Sequence, residues 1–477
     1  MLFNSIPFAL FLPVVFILYW SLFRKPLALQ NAFLFLASCV FYAWIDWRFL
    51  LLVAAGSLVD YAVGRGLGSA EDRGRRRLLL GISLFVNLGL LGFFKYYDFF
   101  VTSFCGLLGT LGLASSPRTL GLVLPVGISF YTFKKLSYTI DVYRRRLEPT
   151  SNALAFMSFV AFFPQLLAGP IDRASTLLPQ FLRKREFSDP RARDGLRQML
   201  SGFMKKMLIA DNLAPIVDDI FRNYAGYDGV TLATGLIFAA IQIYCDFSGY
   251  SDIAIGCARL LGFDTMQNFA FPFFSRDIAE FWRRWHISLS TWLRDYLYMP
   301  LCGTRPSRRR KALSIVGTFV ICGLWHGASW TYATWGFIHG LLFLPLTLAR
   351  RHPRYIGTPA DGRFLPGGRE ALAMFRTFAA TTFAWVFFQS GTLGQAFGII
   401  GRAVSHPLGR PDTATLLPLL AACLFLMLVE WLQRKKRHFL EIEGLPVAAR
   451  WLVYCASVLA LLVFGAFGSN QFIYSQF

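Results

Sequence analysis

Long uncharged apolar stretches alternate along the chain with short basic clusters. About 20 apolar residues cross a hydrocarbon core of about 30 Å. A window of that length predicts spans near 7–22, 30–46, 49–65, 78–97, 119–141, 207–224, 231–252, 312–332, 333–349, 371–390, 415–433 and 450–468. The pattern is that of an all-α polytopic membrane protein with about 11–12 transmembrane helices plus re-entrant and interfacial ones. The basic clusters are Arg24/Lys25, Arg73 to Arg77, Arg144 to Arg146, Arg183 to Arg185, Arg305 to Lys311, Arg350/Arg351 and Arg434 to Arg437. Threading the spans so that each cluster stays cytoplasmic puts both termini outside. The apolar stretch 153–171 lies between two such clusters and contains Pro164, Gly169 and Pro170, so it is expected to be re-entrant. Residues 184–206 are polar and basic, and 275–311 are amphipathic and rich in Arg and Trp, which suits the membrane interface. The first apolar run precedes its charge and lacks a small-residue cleavage site, so a retained span is expected rather than a signal peptide. No internal repeat or long linker divides the chain, and a single integral membrane domain, 1–477, is the simplest organisation.

Composition agrees with this pattern. Of 477 residues, 55% are hydrophobic and only 16% charged, against about 25% charged in globular proteins. A water-soluble enzyme, a disordered chain and a coiled coil are excluded. The 48 Lys and Arg against 27 Asp and Glu leave a net charge of +21. Cytoplasmic loops that resist translocation explain that excess, so no nucleic-acid partner is expected. The eight cysteines include no CxxC pair and suggest neither a disulfide framework nor a metal box.

Polar chemistry concentrates between residues 246 and 340. Ionisable groups at bilayer depth cost several kcal/mol, so each must face protein, water or substrate. Asp246 and Asp252 flank an FSGYS stretch. They suit a proton relay, or structural pairing with Arg259 and Arg276. His286 follows Trp282, Arg283, Arg284 and Trp285. Helical phasing would set Trp282 and His286 on one face, leaving the arginines to reach headgroups or phosphates. His326 lies 326−311=15 residues beyond Lys311, roughly 22 Å along a helix, and is therefore deep. A buried neutral imidazole can take a proton from a hydroxyl and return one to a leaving group. The same spacing is equally that of a packing histidine, with Gly323 and Gly327 admitting a neighbouring helix. His339 reads as a structural hydrogen-bonding residue, and His352, His406 and His438 sit in polar stretches. There is no Walker loop and no HExxH, and Cys322 with His326 is a two-ligand fragment at most, so neither metal nor nucleotide hydrolysis is expected.

FWRRWHISLSTWLRDYLYMPL (281–301), a basic loop, GLWHGASWTYATWGFIHG (323–340) and a terminal GSNQFIYSQF together resemble the membrane-bound O-acyltransferase family. The likeness is to its bacterial branch, which contains the alginate O-acetylase membrane subunit and cellulose and peptidoglycan acetylation relatives. LPVGISFYTFKKLSYTIDVYRRR (124–146), FPQLLAGPIDRAS (163–175), KKMLIADNLAP (205–215) and DFSGYSDIAIGCARLLGF (246–263) extend it over nearly the whole chain. Two positions depart from the pattern: Lys134 stands in place of a glutamine, and Asp172 follows GPI.

The resemblance implies a ring of helices around a central channel with His326 and His286 as its catalytic pair. Asp246, Ser248, Trp325, Ser329 and Trp330 are candidates to line that channel. It implies no bound cofactor; the donor is a thioester substrate, acyl-CoA or an acyl carrier protein, and the acceptor is a polysaccharide or a periplasmic acetylase partner. On this reading His326 is the general base on the accepting hydroxyl, and His286 positions or hydrogen-bonds the carbonyl region. Arg305, Arg308, Arg309, Arg310 and Lys311 would anchor topology or dock the anionic donor. The location implied is the bacterial inner membrane. The alternative from another class is a secondary transporter of ions or small solutes that uses the intramembrane Asp and His; such proteins commonly carry paired halves with broken helices.

Overall fold

The computed structural model describes residues 1–23, 26–113, 116–348, 355–409 and 411–467. Arg24/Lys25, Arg350/Arg351, His352 and the terminal GSNQFIYSQF lie outside these residues. Every regular element among the described residues is helical. The described residues form two compact units, one of Met1–Arg193 and Cys257–Met266, the other of Asp194–Gly256 and the described residues from Gln267 to Phe467.

The first unit opens with α1 (Ile6–Ser21), α2 (Leu27–Asp46), α3 (Arg48–Ser69) and α4 (Arg73–Leu91). A π-helical turn, Gly92–Tyr96, carries α4 on into α5 (Tyr97–Thr110). α6 (Ile128–Tyr143) starts only after the left-handed Gly127 (φ 78°), where an added Cβ would sit 2.2 Å from the Leu166 carbonyl oxygen. The 153–171 stretch becomes α7 (Ala153–Ala161) and α8 (Phe163–Leu166), followed by α9 (Ala174–Phe181). Nine residues in α7 rise only about 14 Å, less than half a hydrocarbon core. Residues 155–172 are buried apart from Met157, so this broken backbone is wrapped in protein, as re-entrant segments must be. Lys134 lies in this buried region, donating to the Phe159 carbonyl at 2.7 Å and to Gln165 Oε1 at 3.2 Å.

α10 (Asp189–Phe203) leads through a π-helical stretch, Met204–Ala210, to α11 (Asp211–Arg222) and the long α12 (Gly229–Leu260). α10 and α12 cross on glycine: a Cβ on Gly202 would sit 2.4 Å from the Gly249 carbonyl oxygen, and one on Gly256 would sit 2.3 Å from that of Gly195. Within the π stretch two successive lysines reach different carboxylates. Lys205 pairs with Asp252 at 3.0 Å and Glu430 at 3.4 Å, and Lys206 with Asp211 at 2.7 Å and Asp246 at 2.5 Å. Asp246 and Asp252 are thus held by lysines, while Arg276, a partner suggested by the sequence, pairs instead with Glu280 and Glu370.

α13 (Ile278–Arg284), α14 (Ile287–Leu293) and α15 (Met299–Cys302) are short; α16 (Arg308–His326), α17 (Trp330–Leu348), α18 (Gly368–Gln389), α19 (Leu393–Ser405), α20 (Thr413–Leu432) and α21 (Val447–Phe464) follow. α16 and α17 approach until a Cβ on Gly336 would sit 2.1 Å from the Phe319 carbonyl oxygen, and one on Gly323 would sit 2.0 Å from that of Tyr332. Small residues let helices pack this closely where apolar area alone drives no association.

Among the described residues, seven stretches are long and apolar enough to cross a membrane: α2, α3, the α4–α5 column, α12, α18, α20 and α21. Each of the dozen or so segments expected from hydropathy contains a helix, but several fall short of a full span. α1 has 16 residues, α6 carries buried Lys134 and Lys135, α11 is amphipathic, and α16 opens with Arg308, Arg309, Arg310 and Lys311.

Candidate active site

The continuous helix expected to carry Trp282 and His286 does not form. α13 stops at Arg284, Trp285 is extended, and His286 is left-handed at φ 41° and ψ 55°. A non-glycine residue there is strained, so something must hold it. Two hydrogen bonds across the preceding loop do so: Ile287 donates its N–H to the Asn268 carbonyl and Ala270 its N–H to the Arg284 carbonyl, both at 2.9 Å. The fold turns His286 inward, where it is fully buried.

Asn268, also fully buried, meets the ring of His286: its Oδ1 lies 3.0 Å from Nδ1. The same oxygen accepts from Ser288 Oγ at 2.9 Å, and Asn268 Nδ2 donates to Ser251 Oγ at 2.9 Å. His286 Nε2 is buried and has no hydrogen-bond partner among the described residues. Burial disfavours the imidazolium and lowers the His286 pKa to about 3.

His326 is the last residue of α16 and is 2% exposed. Its ring centre lies 6.3 Å from that of His286. Trp325, Trp335 and Phe388 surround it edge-on at 5.0, 5.2 and 5.5 Å between ring centres. His286 has Phe247 edge-on at 4.6 Å and Trp325 at 5.9 Å. His339, buried in α17, accepts a hydrogen bond from Trp282 Nε1 at 3.3 Å and so braces the wall on that side.

The other sequence candidates fall in different places. Trp325 bridges the two histidines, and Ser248 is buried with no hydrogen-bond partner for its Oγ among the described residues. Ser329 is half-buried and hydrogen-bonds Thr331, and Trp330 is 59% exposed. Asp246 is in its ion pair with Lys206. His438 is buried in contact with Asp194 at 3.1 Å rather than free in a polar loop, and His406 is exposed beside Ser405. Arg305, Arg308, Arg309, Arg310 and Lys311 are all exposed. Among the described residues no group of three His, Cys, Asp or Glu side chains forms a ligand set for a metal ion.

A cavity of about 560 Å³ lies between α13–α14 and α16–α17. Its lining is mostly apolar, with Arg283 and Arg294 as its cations. Along α16 the lining residues Ile315, Thr318 and Cys322 are spaced by 3 and 4, one helical face, which begins at Lys311 and ends at His326. Ile287, adjacent to His286, lines the other side. The cavity suits an extended, largely apolar chain with an anionic end, and neither His286 nor His326 is part of its lining.

A family model for the membrane-bound O-acyltransferases matches residues 142–388, more than half of the chain, and takes in both histidines, Asn268 and the cavity. The chain belongs to the membrane-bound O-acyltransferase family. It is similar to the probable alginate O-acetylase of Pseudomonas aeruginosa, with 42% identity over 83% of this chain and 74% of the relative. The corresponding protein of Azotobacter vinelandii is 44% identical over 71% of this chain and 67% of its own length. A peptidoglycan O-acetyltransferase of Helicobacter pylori is 34% identical over 84% and 79%. This membrane acyltransferase is therefore an enzyme, and the solute-transporter alternative falls away. Sequence reasoning missed Asn268 and the paired Lys205 and Lys206. The signal was available in principle, as an amide or ammonium inside an apolar run, but nothing in the linear pattern named its partner.

Proposed function

We propose that this acyltransferase moves an acetyl or other short acyl group from a cytoplasmic thioester, acyl-CoA or an acyl carrier protein, to a hydroxyl outside. The end product is an O-acetylated exported or cell-surface polysaccharide of the alginate or cellulose type, made directly or through a periplasmic partner protein. The bacterial inner membrane is the location this requires. The supporting observation is the histidine pair, 6.3 Å between ring centres, at one end of α16, whose other end is the exposed basic cluster and along whose length lies a cavity of about 560 Å³.

The chemistry needs only the acyl group to cross. The hydroxyl oxygen attacks the thioester carbonyl carbon, His326 takes the hydroxyl proton, the C–O bond forms and the C–S bond breaks. The departing sulfur is then protonated and leaves as the free thiol on its own side. Arg305, Arg308, Arg309, Arg310 and Lys311 attract the anionic part of the donor, and the aromatic wall excludes water that would hydrolyse the thioester. His326→Ala should abolish polymer acetylation while membrane abundance stays normal. Full acetylation in that variant overturns the base assignment, and appearance of the intact donor on the far side of a reconstituted vesicle overturns transfer.

A further inference from the structure

The hydrogen bonds around Asn268 fix the proton on His286, because the backbone N–H of Ser288 can only donate and points at the Asn268 side-chain atom facing the ring, at 3.4 Å. That atom is therefore the amide oxygen, which leaves the amide nitrogen to donate to Ser251 Oγ at 2.9 Å on the other side. An amide oxygen only accepts. His286, 3.0 Å away through Nδ1, must supply the hydrogen, so the neutral ring carries N–H at Nδ1 and a bare lone pair at Nε2. That Nε2 is the buried atom with no hydrogen-bond partner among the described residues.

We infer that Asn268 is a positioning residue for acyl transfer: it holds His286 in the Nδ1–H tautomer, so that Nε2 meets the reacting groups as an acceptor. This rests on the acyl-transfer reading above. In this tautomer the neutral ring cannot donate to the thioester oxygen through Nε2. It can take a proton, and the source beside it is His326, which becomes an imidazolium on accepting the hydroxyl proton. The proton passes to His286 Nε2 and then to the departing sulfur, which returns His286 to its starting form. Over a full turnover one C–O bond forms, one C–S bond breaks and one proton moves from oxygen to sulfur. Asn268 Oδ1 stabilises the transient His286 cation through the Nδ1–H bond, the part played by the third member of a Ser-His-Asp triad. The left-handed backbone at His286 keeps the ring in that bond.

Two readouts test this on the full-length chain. With acetyl-coenzyme A as donor and alginate oligomers as acceptor, Asn268→Ala should lower kcat about 100-fold and leave the donor KM unchanged. Asn268→Asp, which keeps an acceptor oxygen on Nδ1–H, should recover most of the loss. Independently of activity, ¹⁵N NMR of histidine-labelled protein should show a neutral Nδ1–H ring that disappears in His286→Phe. A wild-type His286 protonated at Nε2, or an Asn268→Ala protein with wild-type kcat, overturns the inference. If the wild type itself moves no acetyl group, the acyl-transfer reading fails instead, and the tautomer is decided by the NMR signal alone. That signal also decides the matter if Asn268→Ala does not accumulate in the membrane.

Discussion

Lys134 and Asp172 look unrelated in the sequence, two departures from the family pattern separated by 38 positions. Folding joins them through one side chain. Lys134 donates to Gln165 Oε1 at 3.2 Å, and Gln165 Nε2 donates to Asp172 Oδ2 at 2.5 Å. All three are buried. A buried ammonium without a counter-charge is strongly destabilising, so the cation and the carboxylate support each other across the amide. Lys134→Gln alone should cost about 3 kcal/mol, because it leaves a buried carboxylate uncompensated. Lys134→Gln with Asp172→Asn should regain most of that. Denaturant unfolding in detergent gives the coupling energy as a double-mutant cycle, and simple additivity would show that the two groups do not compensate each other.

At the scale of elements, the decisive features are breaks and crossings. A regular helix through 278–293 would have placed His286 by phase alone. The stop at Arg284 and the left-handed His286 place it by hydrogen bonds to a loop instead, which no periodicity encodes. The hairpin of α16 and α17 positions His326 against Trp335, and its closeness depends on Gly323 and Gly336. Gly336→Val would drive a branched side chain into the Phe319 carbonyl. It should destabilise the protein by about 2 kcal/mol or more and remove transfer by displacing His326, with no change at the exposed basic end. A Gly336→Val protein with normal melting temperature and normal kcat would show that the crossing has slack. Adjacent Lys205 and Lys206 in the π-helical stretch 204–210 are about 100° or less apart around the axis, enough for each to meet its own pair of carboxylates.

Over the molecule as a whole, charge and apolar surface divide the work. Exposed Arg305, Arg308, Arg309, Arg310 and Lys311 gather where α16 begins, an end whose dipole already favours anions and whose first turn contains no acidic residue. Arg308→Glu with Arg309→Glu should raise the donor KM about tenfold, weaken the salt dependence of transfer and leave kcat and membrane abundance unchanged. A change in abundance alone would reduce the cluster to a topological anchor. The apolar segments were legible because a lipid solvent demands long uninterrupted runs. The number of complete spans was less so. Hydropathy counts apolar residues, whereas α1, α6 and α11 fall short through length, with buried lysines in α6 and an amphipathic pattern in α11, and α16 falls short through its basic first turn.

The sequence by itself determined an all-helical membrane protein and its family, and singled out two histidines that the fold brings to 6.3 Å between ring centres, because hydropathy and short motifs are local properties of the chain. Tertiary structure alone decided what each polar group faces. It put Asp246 and Asp252 on lysines, joined Lys134 to Asp172, and brought Asn268 to His286 across a turn. Partners of buried polar groups are set by distances between segments far apart in the chain, and residue order contains those distances only through the fold.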